Sequence, residues 1–340
     1  MGGPRGGRSI KYVTRLFIVV FAFTLIIGVA APALLATKTS STSRESTILS
    51  SYTDSLATWS AGWSARYGHT SVVFDNKMWV MGGFAITPPY YISRVKNDVW
   101  YSSDGVNWTQ ATDNAGWSAR FGHTSVVFDN KMWVIGGSGG GCKNDVWYSS
   151  DGVTWTQATA HAGWSARMFH TSVVFDNKMW VMGGWVNNYK CKNDVWYSSD
   201  GVNWTRATGS ASWKERVFHT SVVFDGKMWV MGGWVNDKCK NDVWYSSDGK
   251  NWTQATAHAS WSARFGHTSV VFDNKMWVIG GVGPNDMWYS SDGVNWTRAT
   301  ASAGWSARWG HTSVVFNNEI WVMGGQDPYM KNDVWACSIF

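Results

Sequence analysis

A motif recurring six times, a strand-forming composition and regularly spaced turn residues together predict an all-β chain. The expected architecture is a six-bladed β-propeller of four-stranded blades, preceded by one hydrophobic N-terminal helix. The recurring motif is Arg-x-x-His-Thr-Ser-Val-Val-Phe, with its histidines at His69, His123, His170, His219, His267 and His311. They stand about 48 residues apart, a period that marks an array or a propeller. Tryptophan is the compositional outlier, with 27 among 340 residues. Trp, Val, Thr, Ser, Gly, Asn and Asp crowd the chain while Leu and Glu are scarce, which argues against a helical protein. An apolar content of 44% excludes a disordered one.

In chain order, residues 1–15 form a basic flank carrying Arg5, Arg8, Lys11 and Arg15. Leu16 to Ala36 then has no charge at all. As a helix it would reach about 30 Å, one hydrocarbon thickness. Two readings stand. It is a cleaved secretory signal, with Ala31-Pro32-Ala33 fitting the cleavage pattern, or an uncleaved single-pass membrane anchor with the basic flank inside. Either places the body at the cell surface or secretes it. Residues 37–47 read as a polar linker, and residues 48–340 as the propeller. The net charge of +6 belongs to the N-terminal segment, because residues 1–44 hold six cations and no acid. The body is formally neutral, which excludes a nucleic-acid footprint.

Within the second repeat, four strands are expected. They are His123–Phe128, Lys131–Gly137, Asn144–Ser150 and Val153–Thr159, with tight turns at Asp129-Asn130 and Asp151-Gly152. The first two are apolar in runs, as strands covered on both faces should be. The fourth alternates, as suits a solvent-facing edge. A glycine pair recurs at the end of each second strand, Gly136-Gly137 here. Close approach of an indole, from Trp147 or Trp155, is the expected reason.

Arg-x-x-His, an apolar strand, Trp-Val-Met-Gly-Gly, then Asn-Asp-Val-Trp and a later Trp resemble the kelch repeat over residues 63–340. The resemblance implies four-stranded blades around a central axis with the first strand innermost. The family includes a copper-radical galactose oxidase, whose paired Tyr and His ligands are not found in this sequence. Nothing diagnostic of its sialic-acid mutarotase appears either. The Ser-Ser-Asp-Gly-x-x-Trp segments resemble the structural Asp-box turn of sialidases, one residue short.

Closure of the ring follows from what the sixth repeat lacks. It ends at Phe340 without a fourth strand, so residues 46–58 are expected to supply one, with Asp54 or Tyr52 in the tryptophan slot. Function is expected at the end where the variable loops gather, since the opposite turns are nearly identical. These loops run from 3 to 13 residues. Candidate ligand-binding aromatics there are Tyr90, Tyr91, Trp185, Trp234 and Trp309, suited to a protein partner or a glycan. Capping of the core is the competing role. Arg66, Arg120, Arg167, Arg216, Arg264 and Arg308 would form a ring of cations at the mouth, or pair one by one with the repeated aspartates. No cofactor and no metal is expected, since the histidines lack a second ligand at metal spacing. Cys191 and Cys239, in neighbouring loops, are candidates for a disulfide. Asn-Trp-Thr at Asn107, Asn203, Asn251 and Asn295 matches a glycosylation acceptor pattern through demands of the repeat itself. The favoured reading is a binding or scaffold module. The alternative is a carbohydrate-active enzyme or oxidoreductase using Glu215, an acid that breaks the repeat, and Arg216.

Overall fold

The computed structural model describes residues 52–87, 92–187 and 190–340. The segments expected as basic flank, hydrophobic helix and linker lie outside these residues, as do Tyr90 and Tyr91. Among the described residues there is no helix, and none long and apolar enough to cross a membrane.

The fold is an all-β propeller, but the expected set of six separate four-stranded blades is corrected. The strands form five hydrogen-bonded sheets. Four stand as separate blades, three of four strands and one of five. The fifth sheet has nine strands, because the short strand Arg167–Met168 pairs on one side with Val186 and Trp185 and on the other with Lys143. That strand joins the second repeat to the third. The backbone leading into each motif histidine lies between neighbouring repeats, so whether two units count as separate depends on how far the seam pairs. Elsewhere the cross-repeat pairing is limited to isolated bridges, such as Lys192 with Arg216 and Lys240 with Arg264, and Arg66–Tyr67 is a strand paired only within its own repeat. The innermost strands, from Thr70–Phe74 to Thr312–Phe316, contact one another in sequence, and the last contacts the first.

The strand boundaries of the second repeat show why the local pattern folds this way. Thr124–Phe128 and Lys131–Ser138 are joined by Asp129 and Asn130, at φ 49° and 52°. Two left-handed residues make the turn whose twist matches the strands, and Asp and Asn tolerate that conformation. The fourth strand, Thr156–Thr159, starts three residues later than expected. The backbone of Val153 and Thr154 is spent on the turn instead, both N–H groups donating to Asp151 Oδ1 at 2.8 Å. In the equivalent turns Asp104, Asp200 and Asp248 are held at a pKa of about 2. Burial opposes the shift, but backbone N–H donors and an asparagine side chain outweigh it.

Packing is organised around indoles. Trp79, on a second strand, lies under the turn glycine Gly152 of the next repeat, where a Cβ would come within 2.1 Å of its ring. Trp117 meets Trp155 edge to face at 5.9 Å, and the same pair recurs as Trp63 with Trp108 and Trp164 with Trp204. Burial of each indole stabilises by about 2–3 kcal/mol.

The missing outer strand of the last blade is Tyr52–Thr58, antiparallel to Met330–Ile339. Asp54 sits opposite Cys337 and precedes the Ser55–Ala336 pair as Trp108 precedes the Thr109–Tyr101 pair in the first repeat. In place of an indole its Oδ2 accepts from Gly304 N at 2.5 Å and from Tyr52 Oη at 2.9 Å. Tyr52 packs against the neighbouring core.

The glycine pair has a different cause from the one expected. Gly136 and Gly137 have φ of 59° and 96°. A Cβ on Gly137 would lie 2.6 Å from His123 Cβ, and one on Gly136 would meet Arg167 O and His170 Cε1 at 3.1 Å. The crowding comes from the motif histidines and backbone, with no indole involved.

Candidate functional site

The six repeated arginines are buried, and each makes a two-pronged bond to the aspartate of its own repeat. Arg66 donates from Nη1 to Asp98 Oδ1 at 2.7 Å and from Nη2 to Asp98 Oδ2 at 2.8 Å. Arg120 with Asp145, Arg167 with Asp194, Arg216 with Asp242, Arg264 with Asp286 and Arg308 with Asp333 repeat this geometry. Burial pushes the Asp98 and Asp145 carboxyls up, but the guanidinium hydrogen bonds outweigh it and hold both below the usual range. Each guanidinium also caps a carbonyl of the glycine pair, as Arg66 does at Gly82 O, 2.7 Å away. The second possibility raised by the sequence, one pair per repeat, is therefore the observed one. Arg66, Arg120, Arg167, Arg264 and Arg308 are turned inward and do not present cations at the mouth. The enzyme alternative loses its pairing for the same reason, since Arg216 is held by Asp242 while Glu215 is exposed.

The motif histidines tie successive repeats together. Nε2 of His123 lies 3.0 Å from Thr70 Oγ1, and the relation runs around the ring to His69 and Thr312 at 3.3 Å. Burial, then the nearby arginines, pushes every one of these imidazoles down. His123, His170 and His311 fall to about 3. No group of three or more His, Cys, Asp or Glu among the described residues is placed to hold a metal.

The residue before each motif histidine closes the axis. Gly68, Gly122, Phe169, Phe218, Gly266 and Gly310 form a cycle in which each N–H donates to the carbonyl of the preceding member, at 2.7–3.2 Å, and Gly68 donates to Gly310. All six have φ between 54° and 65°. That conformation is ordinary for glycine and costs a bulky residue about 1–2 kcal/mol. Phe169 and Phe218 accept it and stack with ring centroids 3.9 Å apart. Along the axis lie two small chambers. One of about 120 Å³ is lined by the cycle and the histidines, and one of about 190 Å³ by threonine and serine hydroxyls.

Around this cycle the variable loops deliver a continuous apolar floor. Tyr67, Met168, Trp185, Val217, Phe218, Phe265 and Trp309 are its buried part, and Phe84, Phe121, Phe169, Trp234, Val282 and Met330 its half-buried part. Tyr67 lies 5.0 Å from Trp309, Trp309 6.3 Å from Phe218, and Trp234 5.1 Å from Phe265. Trp185, Trp234 and Trp309, singled out from the sequence, are thus brought together. Trp185 and Trp309 support the floor from below, and Trp234 is partly open. The phenylalanines of Arg-x-x-His were missed. The signal was present, because x-x is the variable part of that segment: Tyr-Gly, Phe-Gly, Met-Phe, Val-Phe, Phe-Gly and Trp-Gly.

Cys142, Cys191, Cys239 and Cys337 are free, so the expected Cys191–Cys239 bridge is not formed. Burial pushes the thiols of Cys142 and Cys191 up to about 11, and Glu215 adds to the shift at Cys191. Unreactive, partly buried thiols packed against the aromatic floor act as small apolar groups. Asn107, Asn203, Asn251 and Asn295 are exposed and donate from Nδ2 to the turn aspartates at 2.8 Å.

A family model described as KLHDC2/KLHL20/DRC7 Kelch-repeats domain matches residues 93–281, more than half of the chain. No curated protein matches it.

Proposed function

The chain belongs to the kelch-repeat family, and from that premise we propose that it is a protein-binding scaffold module whose partner docks on the variable-loop face. One observation carries this reading. The half-buried aromatics of four repeats converge on a single floor at that end of the axis, while the buried arginines nearby are consumed in repeat-by-repeat pairs with aspartates. Aromatic and apolar side chains set among polar walls are the composition of an interface centre. The hairpin of Lys77–Thr87 and Ile92–Ser102, which contributes Phe84 to the floor, is longer than its counterparts and makes this face asymmetric. The uncharged run 16–36 behind its basic flank supports display outside a membrane. The half-buried indole of Trp234 also suits stacking on a sugar ring, so a glycan is the second ligand class to test. Pull-down with the full chain and with a Trp234→Ser/Phe84→Ser variant decides the matter. Proteins retained by the parent and lost by the variant support the reading. Equal retention by both, or retention of glycans alone, overturns it.

A further inference from the structure

Charge is divided along the propeller axis, although the body as a whole is neutral. Lys96, Lys143, Lys192, Lys240 and Lys331 occupy one register position, each opposite the second glycine of its repeat's pair. That places five cations at the variable-loop end of the third strands. Arg94, Lys190, Lys214 and Lys238 are exposed in the same loops and connections. The acids of this end outside the Arg–Asp pairs are fewer, namely Asp113, Glu215, Asp237 and Asp327. At the other end of the same strands five Lys–Asp pairs, such as Lys77 with Asp75, cancel in charge, and the turn carboxylates Asp104, Asp151, Asp200, Asp248 and Asp292 outnumber the one further cation, Lys250. The variable face is therefore a partly open aromatic floor inside a basic rim, facing away from an acidic base.

We infer that the partner segment received on the variable face is acidic and carries a large apolar side chain that seats on the Phe84, Phe121, Phe169 and Trp234 floor. The inference rests on the docking face proposed above and adds the chemistry of its occupant. Rim lysines attract and orient such a segment while contributing modestly to affinity, and the apolar anchor supplies most of the binding. A second copy of the chain offers acidic turns of its own. The strands Lys77–Thr87 and Ile92–Ser102 are longer than their counterparts in the other repeats, so this face is not the evenly repeated surface that stacked copies would share.

Panning the full-length chain against a randomised 16-residue peptide library tests the occupant directly. Retained peptides are expected to be rich in Asp and Glu around one aromatic or large aliphatic residue. Raising salt from 50 to 300 mM should weaken them about tenfold or more. Lys190→Glu with Lys238→Glu should weaken them about tenfold and flatten the salt dependence. Phe169→Gly removes part of the floor yet relieves a left-handed backbone, so the fold is retained while binding falls. Retained peptides with no acidic bias, or no retained peptide, overturn this inference. If non-acidic peptides still lose affinity in Phe169→Gly, the docking face stands and only the occupant is wrong. Peptides indifferent to every substitution on this face overturn both. Concentration-dependent self-association that blocks peptide binding would replace the acidic segment by a second copy.

Discussion

Thr312 Oγ1 lies 3.3 Å from Nε2 of His69, although the two residues are 243 positions apart in the chain. It is the sixth instance of a bond that otherwise joins each repeat to the next, and it joins the last to the first. Thr312→Val should destabilise by about 1 kcal/mol, the worth of one buried neutral hydrogen bond. Chemical denaturation measures this, and a variant as stable as the parent would show that the seam holds without the bond.

Acid should unfold the propeller early. The imidazoles of His123, His170 and His311 stay neutral in the fold down to about pH 3. In the unfolded chain they take up protons near pH 6.5. The unfolded state therefore binds more protons between these values, and its excess grows as pH falls. Stability is fully present above about pH 6.5 and declines toward pH 3. Urea midpoints at pH 7.5, 6.5, 5.5 and 4.5 should fall steadily, and a flat profile would contradict the buried neutral histidines.

The buried forks should punish half-removal more than replacement. Arg120→Ala strands Asp145 and should cost about 3–5 kcal/mol. Arg120→Met with Asp145→Leu leaves no charge uncompensated and should recover a large part of that loss. Equal destabilisation by the single and double variants, in denaturant titrations, would mean that packing of the arginine stem matters more than its charge.

Gly137→Ala should cost about 3 kcal/mol, since its φ is left-handed and the new Cβ would stand 2.6 Å from His123 Cβ. Gly140→Ala is the contrast, with a similar φ of 80° but nothing within 4 Å, and should cost about 1 kcal/mol. Melting temperatures that fail to separate the two would refute the steric account.

Deleting Tyr52–Thr58 should lower the melting temperature by several degrees and promote association, because Met330–Ile339 would become an open edge. Calorimetry and light scattering on the truncated chain check both effects. An unchanged transition would show that the N-terminal strand is dispensable.

Much of this arrangement could be read in the residues. Apolar runs such as that of Thr124–Phe128, turn pairs such as Asp129-Asn130 and the strand borrowed from Tyr52–Thr58 are local or complementary patterns. They follow from strand propensity, left-handed turn preference and the absence of a strand elsewhere, whereas the one-sided burial of Val126 and Phe128 in the first of them emerges only in the folded blade. The pairing of six arginines with six aspartates was legible as a count, but it stood open beside a ring of free cations. Burial decides between the two, because a guanidinium removed from water must find a carboxylate.

The amino-acid order determined the all-β class, the sixfold repetition and the end at which loops vary, since these depend on interactions between near neighbours in the chain. Tertiary structure alone decided how the sheets divide, why the glycine pairs exist and which aromatics share the floor. Arg167 pairs with two repeats at once, His123 crowds Gly137, and Phe169 stacks on Phe218 against its backbone preference. Each of these is a contact across a seam or around an axis, and such contacts exist only when distant stretches are brought within a few ångströms.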